Sequence, residues 1–461
     1  MRLMIVGAGS GQLRAIRKAR SMGIETVVSD RNPLAPGMKT ADFAVPADTF
    51  DPDATEEAAR KYKVDGIATL GTDQPVLTVT MTADRIGLPH SLSVRQALEA
   101  TNKRYMKPMM ERSGVPHNPY RLLGPGSDRQ AGERSRYGSG SNYPEVPLLK
   151  KKLRGLKPPF VLKPVDSQGQ RGVLYAETMD EVLLHLPETL SYSREGYALV
   201  EEYYPGEEIT FSGWVRDGLV YPLTITDRRT INSFPHIGIC FAHTYPSRHF
   251  LKYGDEILDI AERIAGEMGL RSGPVYFQML IGSEGIRVNE IACRIGGAYE
   301  DELIPLLTGV DMDVLLFSEA LGVLPGSTHP DPTENTSAFS PGASDVSFAF
   351  ASPDLDSFSY PAREYAAVLL HFTEPMRVGA IGKKEELLGI PGVESTGYLL
   401  TFGRRIDPMR NSTGRAGYTI IRGSSPEKVN ASIREVYRRF RVLDTEGNNR
   451  ILDFTSESLL E

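Results

Sequence analysis

The sequence is poor in cysteine and has no long apolar stretch. Only Cys240 and Cys293 occur in 461 residues, which excludes a disulfide scaffold and suits a reducing compartment. No apolar run approaches the ~20 residues that a membrane helix needs. The chain also opens directly into a strand pattern from Met1 to Gly7, without the features of a signal peptide. We therefore expect a cytoplasmic protein without membrane contact.

A basic excess is also missing. The formal net charge of −7 disfavours nucleic acid as the main partner. The length and the hydrophobic content of 40% predict about three globular domains. A Pro- and Ser-rich stretch at 327–359 reads as a domain joint. We place the domains at 1–100, 101–326 and 327–461, with a small lobe at about 115–200 and a flexible insertion at about 124–158.

Strand and helix patterns alternate through the first hundred residues. Short apolar runs near residues 3–6, 25–29, 43–45 and 66–70 are separated by helical segments, which predicts a Rossmann-like parallel sheet. The chain is thus expected to combine this sheet with later α+β units.

The first strand ends in a glycine-rich turn, Gly7 to Gln12. Asp30 lies at about the spacing of a ribose-binding acid, so a NAD-binding oxidoreductase stays open as an alternative. Gln12 follows where the third glycine of that fingerprint is absent. A turn that packs closely, or that presents N–H groups to a substrate anion, fits this sequence better.

A lysine ends an apolar strand at Phe160 to Pro164. A polar loop with two glycines, Ser167 to Gly172, follows it. The loop is too short for a Walker motif, but its glycines permit a flap that closes over phosphates. Lys163, fixed at the strand end, is suited to α- and β-phosphates.

A predicted hairpin carries oxygen ligands and an arginine. Gln278 and Glu290 fall on neighbouring strands with one face in common, as one Mg²⁺ site requires. Arg294 follows and can neutralise charge on a transferring phosphoryl group. Gly296 and Gly297 would let a substrate carboxylate approach backbone N–H groups. Each residue alone is ordinary, but their joint order predicts a site for ATP.

Two further segments are expected to complete the site. Residues 227–249 read as a loop rich in Arg, His and Thr, and we expect this loop, including His236, to set substrate specificity. Residues 296–302 are expected to contribute as well. The last part of the chain reads as a compact α/β unit.

These motifs resemble the ATP-grasp superfamily, and the resemblance covers nearly the whole chain. It implies a preATP-grasp domain, a two-lobed ATP-grasp fold and a C-terminal domain like that of biotin carboxylase, the last on Gly403, Arg415 and Gly417. It implies catalytic roles for Lys163 and Arg294, metal ligation by Gln278 and Glu290, and substrate binding by Arg294, Gly296, Gly297 and His236. It implies nucleotide binding by Lys103, Lys163, Ser167, Gly169, Arg171, Gly172, Glu201, Glu202, Tyr203, Tyr204 and Glu208, where Glu201 would accept the adenine amine and Glu208 would hold the ribose.

Two positions depart from the usual pattern. Gln278 stands where Glu is more frequent, and Ala292 stands where Asn is usual, which leaves Glu290 as the one strong anionic ligand. The run from Glu290 to Gly297 looks most like the carboxylate–amine ligase branch, including L-amino-acid ligases.

The resemblance implies an ATP-dependent ligase that joins a small carboxylate to an amine, both expected to be amino acids. ATP and Mg²⁺ (or Mn²⁺) are the implied cofactors, the acyl phosphate is the implied intermediate, and a homodimer is expected. The alternatives are a carbamoyl-phosphate-synthase-like or purine-pathway enzyme and, because of Ala292, a non-catalytic ATP-binding module.

Overall fold

The computed structural model describes residues 1–124, 146–323, 364–455 and 458–460. Most of the predicted insertion, and the whole of the predicted joint at 327–359, lie outside these residues. Within the described ranges, no helix is both long enough and apolar enough to cross a membrane.

The N-terminal part is a parallel sheet covered by helices. Its strand order is β3-β2-β1-β4, with all neighbours parallel, so the predicted Rossmann-like sheet is confirmed. Side chains on both faces of the sheet are buried. The central strand is accordingly apolar from Leu3 to Val6. The elements are β1 (Arg2–Val6), α1 (Leu13–Ser21), β2 (Glu25–Ser29), β3 (Phe43–Val45), α2 (Pro52–Tyr62), β4 (Gly66–Ala68) and α3 (Gln74–Ile86).

Two helices lead from this sheet into a small antiparallel lobe. Ser93 forms a capping box at the start of the first helix, and the Asn102 side chain caps the second by accepting from Arg104 N. The cap places Lys103 at the first helical position. The elements are α4 (Val94–Thr101), α5 (Lys103–Ser113), β5 (Tyr120–Leu123), α6 (Val146–Lys152), β6 (Phe160–Pro164), β7 (Leu174–Ala176), α7 (Met179–Ser191) and β8 (Ala198–Glu202).

A larger lobe is built on long antiparallel strands. Its amphipathic helix α8 packs Ile257, Ile260 and Ile264 onto the sheet and ends at Gly269, which has φ +67°. The elements are β9 (Gly206–Arg216), β10 (Leu219–Ser233), β11 (His236–Tyr245), α8 (Phe250–Met268), β12 (Ser272–Gly282), β13 (Gly285–Ala292), α9 (Glu300–Thr308) and α10 (Met312–Ala320).

The C-terminal unit joins the same sheet, because Ala366 to Leu369 of its first strand pair with Tyr245 to Ala242 of β11. Within the described ranges this sheet has 12 strands, with main order β13-β12-β9-β10-β11-β7-β6-β8-β5. Three C-terminal strands, Tyr365–His371, Gly417–Gly423 and Val393–Tyr398, branch from β11 in that order. The α/β and α+β fold class is thereby confirmed. The elements are β14 (Tyr365–His371), β15 (Met376–Ile381), α11 (Lys384–Leu388), β16 (Val393–Tyr398), β17 (Arg405–Ile406), β18 (Gly417–Gly423), α12 (Pro426–Arg439) and β19 (Val442–Asp444).

The prediction of a loop at 227–249 is wrong. Most of it is the antiparallel pair β10 and β11, joined only by a short turn after Ser233. The side chains of Thr224 to Arg229 are buried or nearly so, although most of them are polar. Arg228 lines both interior cavities described below, and Thr230 and Asn232 further along β10 line the first of them, which explains why this segment is polar.

Candidate active site

Most of the predicted nucleotide residues line one cavity between the two lobes. Its empty volume is about 1000 Å³. The wall combines the end of β6, the following loop, the β8–β9 connection and the β12–β13 hairpin. Its predicted members are Lys103, Lys163, Ser167, Gly169, Arg171, Glu201, Tyr203, Tyr204, Glu208, Gln278 and Glu290.

Lys163 shares a buried carboxylate with a second lysine. Its Nζ lies 2.5 Å from Glu201 Oε2, and Lys107 Nζ contacts Glu201 Oε1. Burial would raise the pKa of Glu201, but the two lysines lower it to about 2. Burial lowers the pKa of Lys107. The carboxylate of Glu201 is therefore ionised and holds Lys163 at the cavity wall.

Lys163 also connects the two halves of the predicted site. Its Nζ donates to Asn289 Oδ1 over 2.7 Å, across 126 residues of sequence. Asn289 sits on β13, next to Glu290. The strand-end lysine and the oxygen-bearing hairpin therefore meet, as the sequence predicts for an ATP site.

Gln278 and Glu290 face each other across β12 and β13 as a paired register position. Lys103 Nζ lies 2.5 Å from Glu290 Oε1. Burial would lower the pKa of Lys103, but Glu290 raises it, and Lys103 in turn lowers the pKa of Glu290 against the effect of burial. Glu290 and Lys103 therefore form a buried ion pair. Among the described residues, no cluster of three or more His, Cys, Asp or Glu side chains is arranged to hold a metal ion.

Arg294 is held by an acid from the N-terminal domain. Its guanidinium contacts Asp73 Oδ1, donates from Nη1 to Ile295 O over 3.1 Å and lies 4.7 Å from the centre of the Tyr276 ring. Asp73 comes just before α3. The pair fixes the arginine beside Glu290, at the rim of a second cavity.

The predicted phosphate flap bridges two other parts of the molecule. Gln168 Oε1 accepts from Asp73 N over 2.6 Å, and Gly169 O accepts from Ser412 N over 3.1 Å. Gly169 and Gly172 have φ values of +67° and +71°, a region that favours glycine. The flap is therefore in contact with both the N-terminal and the C-terminal domain.

The connection from β8 to β9 forms the far wall. Tyr203 N donates to Pro159 O over 2.8 Å, and Tyr204 Oη donates to Gly285 O over 2.9 Å. Glu208 forms an ion pair with the buried Arg228 of β10. Burial would lower the pKa of Arg228, but Glu208 raises it. These contacts fix the wall that the sequence assigns to adenine and ribose.

A second cavity, with an empty volume of about 960 Å³, adjoins the first. The two share a wall that includes Gln278, Glu290 and the flap residues from Gln168 to Arg171. The second cavity is lined by many polar side chains and by several arginines. Its other members include Thr72, Asp73, Arg228, Cys240, His243, Tyr276, Arg294, Gly297, Ala298 and Arg415.

Four predicted site residues line neither cavity. Gly172 closes the end of the flap, and Glu202 Oε1 accepts from Lys157 N over 2.9 Å. A Cβ on Gly296 would meet the Glu300 side chain, so the glycine there permits close packing. His236 pairs with Leu174 at the start of β11, whereas His243, further along the same strand, faces the second cavity.

In the N-terminal sheet, the space inside the glycine-rich turn is filled by the side chain of Gln12, which belongs to the same turn. Gln12 packs against Gly7 and Gly9, and its Nε2 donates to Leu70 O over 2.8 Å. Asp30 accepts from Ala8 N and Asn32 N. The space that a dinucleotide pyrophosphate needs is thus occupied, which favours the closely packed turn over the oxidoreductase alternative.

Sequence reasoning missed several residues because their partners are distant. Lys107 had a signal, since it follows Lys103 by one helical turn and lies on the same face. Asp73 and Asn289 reach the site only through tertiary contacts with no local motif. Arg228 and His243 fall in the 227–249 segment that was expected to contribute to specificity, and Arg415 was noted only as a feature of the C-terminal domain.

Comparison with known proteins finds similarity to ligases. Residues 368–443 match the family model described as L-amino acid ligase C-terminal domain 2. The phosphoribosylamine–glycine ligase of Methanococcus vannielii is 23% identical over 345 residues, which cover 68% of this chain and 72% of that protein.

Two solved structures share nearly the whole fold. The L-amino acid ligase from Bacillus licheniformis aligns with a TM-score of 0.71 and 15% identity, covering 96% of this chain and 98% of that one. The biotin carboxylase domain of Hydrogenobacter thermophilus 2-oxoglutarate carboxylase, solved with MgADP and bicarbonate, aligns with a TM-score of 0.67 and 16% identity, covering 96% and 90%. The chain has the ATP-grasp fold, and its resemblance to the ATP-grasp ligases is confirmed. The domain boundaries stay predictions.

Proposed function

We propose that this chain, built on the fold of the ATP-grasp ligases, joins a carboxylate to an amine at the expense of ATP, releasing ADP and phosphate. One observation carries the proposal. Two adjoining cavities meet at Glu290 and Gln278, with Lys103 and Lys163 on one side and Arg294 on the other. This arrangement suits transfer of a phosphoryl group from a nucleotide in the first cavity to a carboxylate in the second.

The nucleotide lies with its base against the β8–β9 connection in this proposal. Because the Glu201 carboxylate is held by two lysines, the adenine amine meets a main-chain oxygen instead of that side chain. Glu208 binds the ribose, and Lys103, Lys163 and the flap bind the phosphates. Arg171, in the flap, lines both cavities and follows the phosphoryl group as it moves.

The donor set fits one divalent cation. Glu290 supplies a carboxylate and Gln278 an amide oxygen, and Mg²⁺ normally takes only one or two protein ligands beside phosphates and water. When bound, the ion neutralises charge on the phosphate oxygens. Lys103, now paired with Glu290, would turn to the phosphates.

The chemistry requires two steps. A carboxylate oxygen attacks the γ-phosphorus, the bond to the β-phosphate oxygen breaks, and ADP leaves. The amine nitrogen then attacks the acyl carbon, phosphate leaves, and the amine loses a proton. Arg294, positioned by Asp73, stabilises charge during both steps. The protein positions the reactants and needs no covalent nucleophile.

Substrate-dependent ADP release tests this proposal. The purified chain is incubated with ATP, Mg²⁺ and a panel of amino acids, singly and in pairs, and products are identified by mass. Hydroxylamine is added in parallel, because it converts an acyl phosphate to a stable hydroxamate. Release of ADP together with a hydroxamate is expected. ATP binding without ADP release across the whole panel would instead favour the non-catalytic module.

A purine-pathway ligase is the second candidate, since the Methanococcus relative couples phosphoribosylamine to glycine and matches over 72% of its own length. The same assay with glycine and freshly prepared phosphoribosylamine distinguishes the two. We further propose a cytoplasmic homodimer, and light scattering in solution measures its mass.

A further inference from the structure

Two arginines of the second cavity, Arg171 and Arg415, have no carboxylate partner among the described residues. Arg228 is paired with Glu208, and Arg294 with Asp73. Arg171 belongs to the flap and is assigned to the nucleotide phosphates. Arg415, from the C-terminal domain, has no carboxylate within ion-pair distance in the described chain, although it lines the cavity.

The Arg415 guanidinium is oriented by a single contact. Its Nη1 donates to Gly297 O over 3.1 Å. Its Nε is shielded from solvent and has no hydrogen-bond partner in the part of the chain that the structure describes. Nε and Nη2 form the edge of a guanidinium that binds a carboxylate through two parallel hydrogen bonds. The contact with Gly297 therefore leaves this edge available.

The charged groups around Arg415 leave this side of the cavity suited to a ligand with one negative charge. The two acids that line the cavity, Asp73 and Glu290, are already paired with Arg294 and Lys103. Burial, together with Arg228 and Arg415, lowers the pKa of His243 well below its usual value, so this imidazole is neutral and adds no second positive charge. Glu300 interacts with Arg415 only beyond ion-pair distance, accepts from Ala298 N, and has a pKa that burial raises. With Arg171 assigned to the nucleotide, Arg415 is the cation that remains for a second substrate, and one cation suits a carboxylate better than a phosphate dianion.

We infer that Arg415 binds the carboxylate of the amine-supplying substrate and thereby selects an amino acid over a neutral amine. This inference rests on the proposed ligase function. A carboxylate that attacks phosphorus must keep one oxygen free, and a two-point contact with arginine occupies both oxygens. Arg415 is therefore suited to the carboxylate that does not react.

The test measures ligation at saturating ATP and acyl substrate while the acceptor varies. The acceptors are an amino acid that the wild type accepts, its α-amide, O-phosphoethanolamine and hydroxylamine. The variants are Arg415→Gln, Arg415→Lys and Arg410→Gln. Arg415→Lys keeps the positive charge but loses the two parallel N–H donors of the guanidinium. Arg410 is exposed on the same segment and provides a matched control.

In the wild type, KM for the amino acid is expected to be lower than for its amide. Arg415→Gln is expected to raise KM for the amino acid by about 10- to 100-fold, as loss of a charge-assisted two-point contact does, and to remove the preference over the amide. The KM of Arg415→Lys for the amino acid should lie between those of the wild type and Arg415→Gln. Hydroxamate formation and KM for ATP should stay unchanged in both, and Arg410→Gln should behave as wild type.

Three outcomes would overturn the inference. The first is an equal loss of hydroxamate formation and ligation in Arg415→Gln, which places Arg415 in the acyl-phosphate step or in folding. The second is an unchanged preference for the amino acid in that variant. The third is a wild-type preference for O-phosphoethanolamine that Arg415→Gln abolishes, which replaces the carboxylate by a phosphate. A wild type that forms neither ADP nor hydroxamate contradicts the ligase function itself.

Discussion

Arg294 and Asp73 lie 221 residues apart in sequence, yet Nε and Nη2 of the arginine approach one carboxylate oxygen at 2.7 and 2.6 Å. The pair ties the N-terminal domain to the residue that the proposed mechanism places beside the transferring phosphoryl group. Asp73 itself belongs to the wall of the second cavity. We regard it as a positioning residue for the arginine.

Substituting Asp73 by Asn should therefore lower kcat more than it changes KM for ATP. We expect a fall in kcat of about 10- to 100-fold, because a misplaced charge loses transition-state stabilisation. Steady-state ADP release measures both constants. Asp53→Asn is the control, since Asp53 is 84% exposed at the start of α2 and pairs with Arg85 on the surface. Equal effects of the two substitutions would contradict the positioning role.

Lys163 and Lys107 share Glu201 but should respond differently to alanine. Lys163→Ala should abolish substrate-dependent ADP release and leave the fold intact, because Lys107 still balances the buried carboxylate. Lys107→Ala should lower the free energy of unfolding by about 3 kcal/mol, since Lys107 is only 1% exposed and its loss breaks a buried pair. Urea unfolding and ADP release separate the two effects. Wild-type turnover in Lys163→Ala would refute the site assignment.

Glu290 is the one carboxylate in the proposed metal set, so Glu290→Ala should also abolish ADP release. Its pairing with Lys103 means that the variant leaves a buried ammonium without its partner, and some stability should be lost as well. ADP release at rising Mg²⁺ concentrations tests whether the metal restores activity. Glu284→Ala, at an acid that is 69% exposed in the β12–β13 hairpin, is the control. Full activity of Glu290→Ala would remove the basis for the metal site.

Gly172 should not tolerate a side chain. A Cβ there would lie 2.7 Å from Tyr192 Cδ2 and 2.9 Å from Pro164 Cγ, and the residue has φ +71°. Gly172→Ala should displace the flap and raise KM for ATP by roughly 10-fold, because a clash adds to the backbone strain. Gly309 has φ +74°, and a Cβ there would have no neighbouring atom within 4 Å, so Gly309→Ala reports the strain alone. Identical KM values in the two variants would argue against a steric role.

Glu319 should make stability depend on pH. Burial raises its pKa from 4.5 to about 7, so the folded chain retains a proton that the unfolded chain releases. Stability should therefore fall as pH rises from about 4.5 to about 7. Glu319→Gln removes this loss and should be more stable than wild type at pH 8 by roughly 2–4 kcal/mol, with little difference near pH 5. Chemical unfolding at the two pH values measures the difference, and parallel pH profiles would contradict the assignment.

Much of this architecture follows from local sequence patterns. The parallel strands near Leu3 and Glu25 are largely apolar runs, and helix α8 has a regular apolar face. Strand β10 was predicted as a loop from Asp227 onward, because this part of the strand is polar and its side chains at Arg228, Thr230 and Asn232 line the cavities. Lys103 is at the first position of α5, where the helix dipole disfavours a cation, and its ion pair with Glu290 compensates for this.

The contacts that complete the site have no local signature. Asp73, Arg228 and Arg415 each act through a partner that the fold brings from another domain or strand. Periodicity and spacing describe neighbours along the chain, so they contain no information about these pairs.

The single register pair between β11 and β7, His236 with Leu174, has a mechanical consequence. On one side, β14 extends the large-lobe sheet into the C-terminal unit over four paired positions from Ala242 to Tyr245. On the other side, the small-lobe strand β7 meets β11 at this one register pair, next to a hydrogen bond from Tyr175 N to Pro235 O. If the small lobe rotates over a bound nucleotide, the sheet would bend between β7 and β11. The large lobe and the C-terminal unit, joined by the four-residue pairing of β11 with β14, would move together as one rigid body.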